Sequence, residues 1–219
     1  METKRELRAR MRELRESLDQ KTRAAADARV AAQVVAHPAY RAAETVFTYL
    51  SVGAEVDTRA IIRDAWARGK QVAVPRVVPG TRAMAWYAID GFDGLETSPF
   101  GIEEPPADDV RRVAVPGGEG VAAVALVPAF TFDVQGYRVG YGGGFYDMFL
   151  PTFGGTGPCN SAMRRCRMMA MTCRSMRSSS DSAAFRASAL ASEVSANDRA
   201  SDSHGQVFIS AHCSLIETK

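Results

Sequence analysis

Residues 1–156 of this 219-residue chain contain no cysteine and one histidine, His37. That scarcity excludes a thiolate metal centre, a disulfide framework or a catalytic cysteine from this stretch. It also leaves no Ser-His or Cys-His pair unless His37 serves. His37 precedes Pro38 at an expected helix end, where it reads as a surface or capping residue. No apolar run reaches the length that crosses a bilayer, and the amino-terminal METKRELRARMRELRE is charged where a signal peptide is apolar. The net charge of +2 provides no global field for nucleic acid or a membrane surface. These absences lead us to expect a cytoplasmic globular protein with one core.

The averages hide a seam. Residues 1–156 hold three serines, Ser17, Ser51 and Ser98, whereas residues 157–219 hold thirteen, together with Cys159, Cys166, Cys173 and Cys213. No CxxC pair or cysteine–histidine spacing in that tail suggests zinc. The expected division is an incomplete α/β domain over 1–156 and an aberrant Ser/Cys-rich tail over 157–219. The tail's weak apolar patterning predicts disorder.

Thr3 and Glu6 form a capping box, and Leu7, Met11, Leu14 and Leu18 repeat at helical spacing behind it. Lys4, Arg8, Arg12 and Arg15 form a basic stripe beside that face, readable as a solvated surface or as a site. Thr45–Leu50, Gln71–Pro75 and Met84–Ile89 read as strands. Between the first two, Asp57 can cap a helix that buries Ile61, Ile62, Ala65 and Trp66 and ends before Gly69. Ser98–Pro106 reads as a loop without regular structure, and Val121–Phe130 as a central strand covered on both faces. The succession predicts an α/β fold, an open, mainly parallel sheet with flanking helices.

Ligands of such sheets bind beyond the carboxyl ends of the strands. The chain leaves its most apolar strand through Arg138, Val139 and then GYGGGFYD, Gly140–Asp147. Glycines lacking Cβ let backbone N–H groups converge on an anion, and a helix starting near Phe145 adds its positive end. Arg138 provides a forked donor for phosphate oxygens, and Asp147 an oxygen ligand for magnesium. The alternative is a tight turn with a helix cap. No GxxxxGK[ST] occurs, and GxGxxG fails because Phe145 stands at its last glycine.

The ordered runs KRELR (4–8), FTYLSVGAEVDT (47–58), VAVPRV (72–77), PFGIEEP (99–105) and LVPAFTFDVQGYRVGYGGGFYD (126–147) resemble the 5-formyltetrahydrofolate cyclo-ligase family. The resemblance implies a sugar-isomerase/CoA-transferase-like sheet and a monomer of folate one-carbon metabolism with no nucleic-acid or membrane partner. It implies that ATP, with Mg2+, phosphorylates the formyl oxygen of 5-formyltetrahydrofolate, N10 attacks the activated carbon, and 5,10-methenyltetrahydrofolate forms with release of ADP and phosphate. Lys4, Arg8, Arg138, Val139, Gly140, Tyr141, Gly142, Gly143, Gly144, Phe145 and Tyr146 would hold ATP. Leu50 and Glu55, with Tyr141 to Phe145, would contact folate, Asp147 would bind magnesium, and Arg138 and Tyr146 would act in catalysis. A non-catalytic folate- or nucleotide-binding remnant and an unrelated phosphotransferase are the alternative readings.

One departure is plain. The family continues with two strands, one carrying a motif like His-Asp-Val-Pro-Val-Asp that provides a second magnesium aspartate, whereas this chain reads MTCRSMRSSSDSAA from Met171. Back-translating Ala170–Ser179 with G or C in third positions, and reading from the third base of the alanine codon, gives His-Asp-Val-Pro-Val-Asp-Ala-Val-Val. The resemblance therefore implies a wrong-frame tail, a sheet without its C-terminal strands, and impaired folding and activity.

Overall fold

The computed structural model describes residues 3–99, 101–116, 122–132, 138–153, 169–172 and 206–212. Helix α1 (Lys4–Glu16) starts at the expected capping box: the Thr3 side chain accepts from Glu6 N, and the Glu6 carboxylate accepts from Thr3 N at 2.7 Å. Helices α2 (Gln20–Ala36) and α3 (Pro38–Ala42) follow, with His37 Nδ1 accepting the Ala39 N–H. Strand β1 (Thr45–Phe47), helix α4 (Arg59–Ala67), β2 (Gln71–Val77) and β3 (Met84–Ile89) come next. The short strands β4 (Glu96–Thr97), β5 (Glu103–Glu104) and β6 (Arg112–Val113) lead to β7 (Ala123–Val127). Then come β8 (Thr131–Phe132), β9 (Arg138–Val139), helix α5 (Phe145–Phe149), β10 (Met169–Thr172) and β11 (Gln206–His212).

Seven strands form one sheet in the order β10-β11-β7-β1-β2-β3-β6. The β1–β2, β1–β7, β7–β11 and β10–β11 pairs are parallel, and β2–β3 and β3–β6 are antiparallel. Because successive residues of a strand face opposite ways, the central strands feed two cores. Val46, Val72, Val74, Val124 and Leu126 pack with Val30, Val34, Tyr40, Ile61 and Ile62 beneath α2–α4. Phe47, Ala73, Ala125 and Val127 pack on the other face with Trp86, Phe149 and Phe153. This is the expected mainly parallel sheet with flanking helices, and all five residues of β7 are buried as a central strand requires.

Three local expectations need correction. Ser98–Pro106 contains a strand, because Gly101 at φ +72° reverses the chain and lets β4 and β5 pair, Glu96 opposite Glu104. In α1, Leu14 is 38% exposed and the neighbouring Arg15 only 8%. The sheet also departs from the expected lack of C-terminal strands: β11, sequence QVFISAH, pairs with β7 from Gln206↔Ala123 to Ser210↔Val127. A β7 free on that side would present a full row of unpaired backbone groups, and the Val-Phe-Ile run suits a strand. The tail also contributes β10, parallel to β11 from Met169↔Ile209 to Thr172↔His212, and the remainder of the tail, with its four cysteines and the expected disorder, lies outside the described residues.

Candidate active site

Beyond the carboxyl end of β7 lies a cavity of about 550 Å³. Each residue singled out from the sequence lines it: Lys4 and Arg8 from α1, Leu50 and Glu55 after β1, and the unbroken run Arg138–Asp147.

The glycine loop has the backbone that its composition demands. Gly142 (φ +98°) and Gly144 (φ +77°) are left-handed, and Gly144 is the N-cap of α5. A Cβ on Gly142 would meet the Arg8 guanidinium at 3.5–3.7 Å, and one on Gly140 would meet Arg138 Nη1 at 2.9 Å. Arg8 Nε donates to the Gly140 carbonyl at 2.7 Å, so α1 grips the loop through a residue that also lines the cavity.

Arg138 forms an ion pair with Asp147, its side chain 11% exposed and that of Asp147 75%. Burial pulls the Arg138 pKa down, and the Asp147 charge opposes that shift. Tyr146 places its hydroxyl in the interior, without a hydrogen-bond partner among the described residues, and its ring beneath the Arg138 guanidinium at 5.9 Å. Burial holds the Tyr146 proton far above its ordinary range, so the group is a neutral donor.

Elsewhere on the lining, Glu55 Oε2 accepts the Val52 N–H at 2.9 Å, and Tyr141 of the glycine loop lines the same cavity. Burial raises the Glu55 pKa, and the Val52 N–H opposes that shift. Tyr141 packs against Phe130 with ring centroids 4.3 Å apart and planes tilted by 44°, and accepts from Arg15 Nη1 at 3.2 Å. Arg15 Nη2 donates to the carbonyls of Ala129 and Phe130 at 2.6 and 3.0 Å, groups that have just left the β7 ladder.

Sequence reasoning passed over two of these participants. Arg15 belonged to the basic stripe but not to the site. Glu104, buried and lining the cavity, belongs to the PFGIEEP run, whose composition singles out no one carboxylate.

A magnesium ion takes few protein ligands and bridges to substrate phosphates. Asp147, exposed at the mouth of the glycine loop, suits that mode. Among the described residues no group of three or more His, Cys, Asp or Glu could enclose a metal without a ligand's oxygens. The positive-φ cradle and the cations Lys4, Arg8 and Arg138 together suit a polyphosphate. Among the described residues no helix is long and apolar enough to cross a membrane.

A family model described as the 5-formyltetrahydrofolate cyclo-ligase family matches residues 1–190. The mouse 5-formyltetrahydrofolate cyclo-ligase is 30% identical over 150 residues, 67% of this chain and 73% of the mouse protein. The Escherichia coli K12 enzyme of the same name is 33% identical over 121 residues, 55% of this chain and 64% of that protein. The solution structure of Aquifex aeolicus 5,10-methenyltetrahydrofolate synthetase superposes with a TM-score of 0.57 at 26% identity, covering 68% of this chain and 72% of that one. These relatives are enzymes, and the chain belongs to the 5-formyltetrahydrofolate cyclo-ligase family.

Proposed function

We propose that this chain binds 5-formyltetrahydrofolate and Mg·ATP in the cavity beyond β7 and closes the former to 5,10-methenyltetrahydrofolate, with release of ADP and phosphate. The observation that carries this reading is that the glycine–arginine cradle and the carboxylates Glu55 and Asp147 line one space.

Mg·ATP, when bound, supplies the phosphoryl group that makes the formyl oxygen a leaving group. The chain's own residues bind and position. Lys4 and Arg8 neutralise phosphate charge at the amino end of α1, and the backbone of Gly140–Gly144 accepts the phosphates without Cβ obstruction. Arg138 lies buried next to Asp147, so metal binding at Asp147 would release Arg138 toward charge developing on the ligand. Tyr146, its hydroxyl buried away from the cavity, sets its ring beneath the Arg138 guanidinium and so holds that donor in place. Leu50, Glu55 and Tyr141 hold the folate against this face, converting an encounter of two substrates into a positioned reaction. No histidine base or covalent nucleophile is required, because Mg·ATP would supply the activation and the residues supply positioning and charge neutralisation.

The test is formation of methenyl-folate from 5-formyltetrahydrofolate with Mg·ATP by the purified chain, alongside calorimetric titration of each ligand. Turnover supports the reading. Binding of both ligands without turnover assigns the chain to the remnant class, and binding of neither overturns the proposal.

A further inference from the structure

Two arginines of α1, Arg8 and Arg15, stand seven residues apart and so on one face of the helix. They donate to adjacent residues of the glycine loop, Arg8 Nε to the Gly140 carbonyl and Arg15 Nη1 to the Tyr141 hydroxyl. Their situations differ. Among the described residues Arg8 lines the cavity, whereas Arg15 is buried and does not.

A guanidinium taken out of water is costly unless its N–H groups are bonded. Arg15 meets that demand at both ends of one stretch of chain. Nη2 donates to the Ala129 and Phe130 carbonyls, where the chain leaves β7, and Nη1 to Tyr141, where it comes back. The guanidinium also lies over the Phe130 ring, 5.4 Å from its centre. The two arms are fastened to each other as well. Phe130 N donates to the Val139 carbonyl at 2.8 Å, Thr131 and Phe132 pair with Val139 and Arg138, and the Phe130 and Tyr141 rings pack together. The carbonyl bonds alone would fasten α1 to the end of β7. The bond to Tyr141 goes further, because it fixes the loop relative to a helix whose first turns carry Lys4 and Arg8.

We infer that Arg15 is a positioning residue for the proposed reaction: by holding both arms against α1, it sets the Lys4–Arg8 end of the helix and the glycine loop at one fixed separation, ready for a polyphosphate. The inference rests on the Mg·ATP reading above and adds to it a residue that acts through the loop and touches no ligand. Such mounting matters because a displacement of about 1 Å at a reacting centre can cost about a hundredfold in rate.

The test is a double-mutant cycle between Arg15 and Lys4, read by calorimetric titration of Mg·ATP into the full chain. Lys4 lies eleven residues before Arg15, about 16 Å along the helix axis. Substitutions that far apart without a shared partner add. Arg15→Lys keeps the charge but gathers its donors on one nitrogen, so the fork is lost. Lys4→Ala should weaken Mg·ATP binding about tenfold in the unsubstituted chain, the scale of one bond to a charged group. In Arg15→Lys the same change should cost about threefold or less, because the end of the helix is no longer set against the loop. A residue that only stabilises the fold would lower the melting temperature of Arg15→Lys and leave the Lys4→Ala loss at its full size, and that result overturns the inference. Absence of any loss on Lys4→Ala in the unsubstituted chain overturns it too, since there would be no cradle for Arg15 to set. If Arg15→Lys does not fold, Tyr141→Phe takes its place in the cycle, removing only the hydroxyl to which Arg15 Nη1 donates. Equal Lys4→Ala losses with and without Tyr141→Phe then overturn the inference. Failure of the unsubstituted chain to bind Mg·ATP at all removes the functional reading itself, a distinct result.

Discussion

Arg8 Nε and the Gly140 carbonyl oxygen stand 2.7 Å apart although 132 residues separate them in sequence. One guanidinium therefore shapes the glycine loop and also faces the space that the loop encloses. Arg8→Ala is expected to weaken nucleotide binding by about 1–3 kcal/mol, with Arg8→Lys nearly as damaging because a single ammonium cannot serve both directions. Titration of Mg·ATP measures this, and unchanged affinity would remove Arg8 from the phosphate end.

Gly142→Ala places a Cβ at φ +98° and against Arg8 at 3.5 Å. The left-handed backbone alone costs about 1–2 kcal/mol. Reduced thermal stability together with weaker nucleotide binding is expected, whereas Gly53→Ala, also at positive φ but with open space around it, should lose stability without losing nucleotide affinity.

Asp147→Asn removes the anionic partner of Arg138 and the proposed metal oxygen together. The magnesium concentration for half-maximal activity should rise at least about tenfold, the scale of losses seen when a metal's support is weakened. Arg138→Ala should instead reduce nucleotide affinity with the magnesium requirement retained. Equal magnesium dependence in Asp147→Asn and the unsubstituted chain would refute the assignment.

Glu55 carries a pH dependence whose sign follows from its raised pKa. The folded state holds the proton more tightly than the unfolded state, so its stabilising contribution is complete below the ordinary value of 4.5 and is lost as pH rises through the folded pKa. Thermal melts of Glu55→Gln against the unsubstituted chain should therefore show the variant gaining relative stability from pH 4 upward. A constant difference across that range would mean that burial does not govern this carboxylate.

The wrong-frame reading of the tail predicts an inserted or deleted base when the coding DNA is sequenced across codons 145–185. The chain with its frame restored should then melt higher and turn over faster. A frame confirmed as written overturns that reading.

Much of the site was legible because it is local. GYGGGFYD carries its own backbone requirement, and the structure meets it with positive φ at Gly142 and Gly144. The capping box, β3 and the two-sided burial of β7 were likewise written in neighbouring residues. What failed depended on distant partners. Leu14 and Arg15 differ by one helical step, and the period alone cannot say which faces inward. The deciding partners are the Ala129 and Phe130 carbonyls, more than 110 residues away, which draw in the arginine. Glu104 was hidden for the same reason: only the hairpin made by Gly101 and its pairing with β4 separates it from Glu103.

Helix α1 buries only Met11 and Arg15 of its thirteen residues. It is fastened to the domain largely by arginine bonds to backbone oxygens and contributes little apolar area. Its amides should accordingly exchange with solvent through a shallow local opening, while those of β1, β2 and β7 wait for global unfolding. Each such opening would also withdraw Lys4 and Arg8 from the cavity that they line. A bound polyphosphate would slow that breathing, leaving α1 as the part of the chain whose exchange rate reports occupancy of the site.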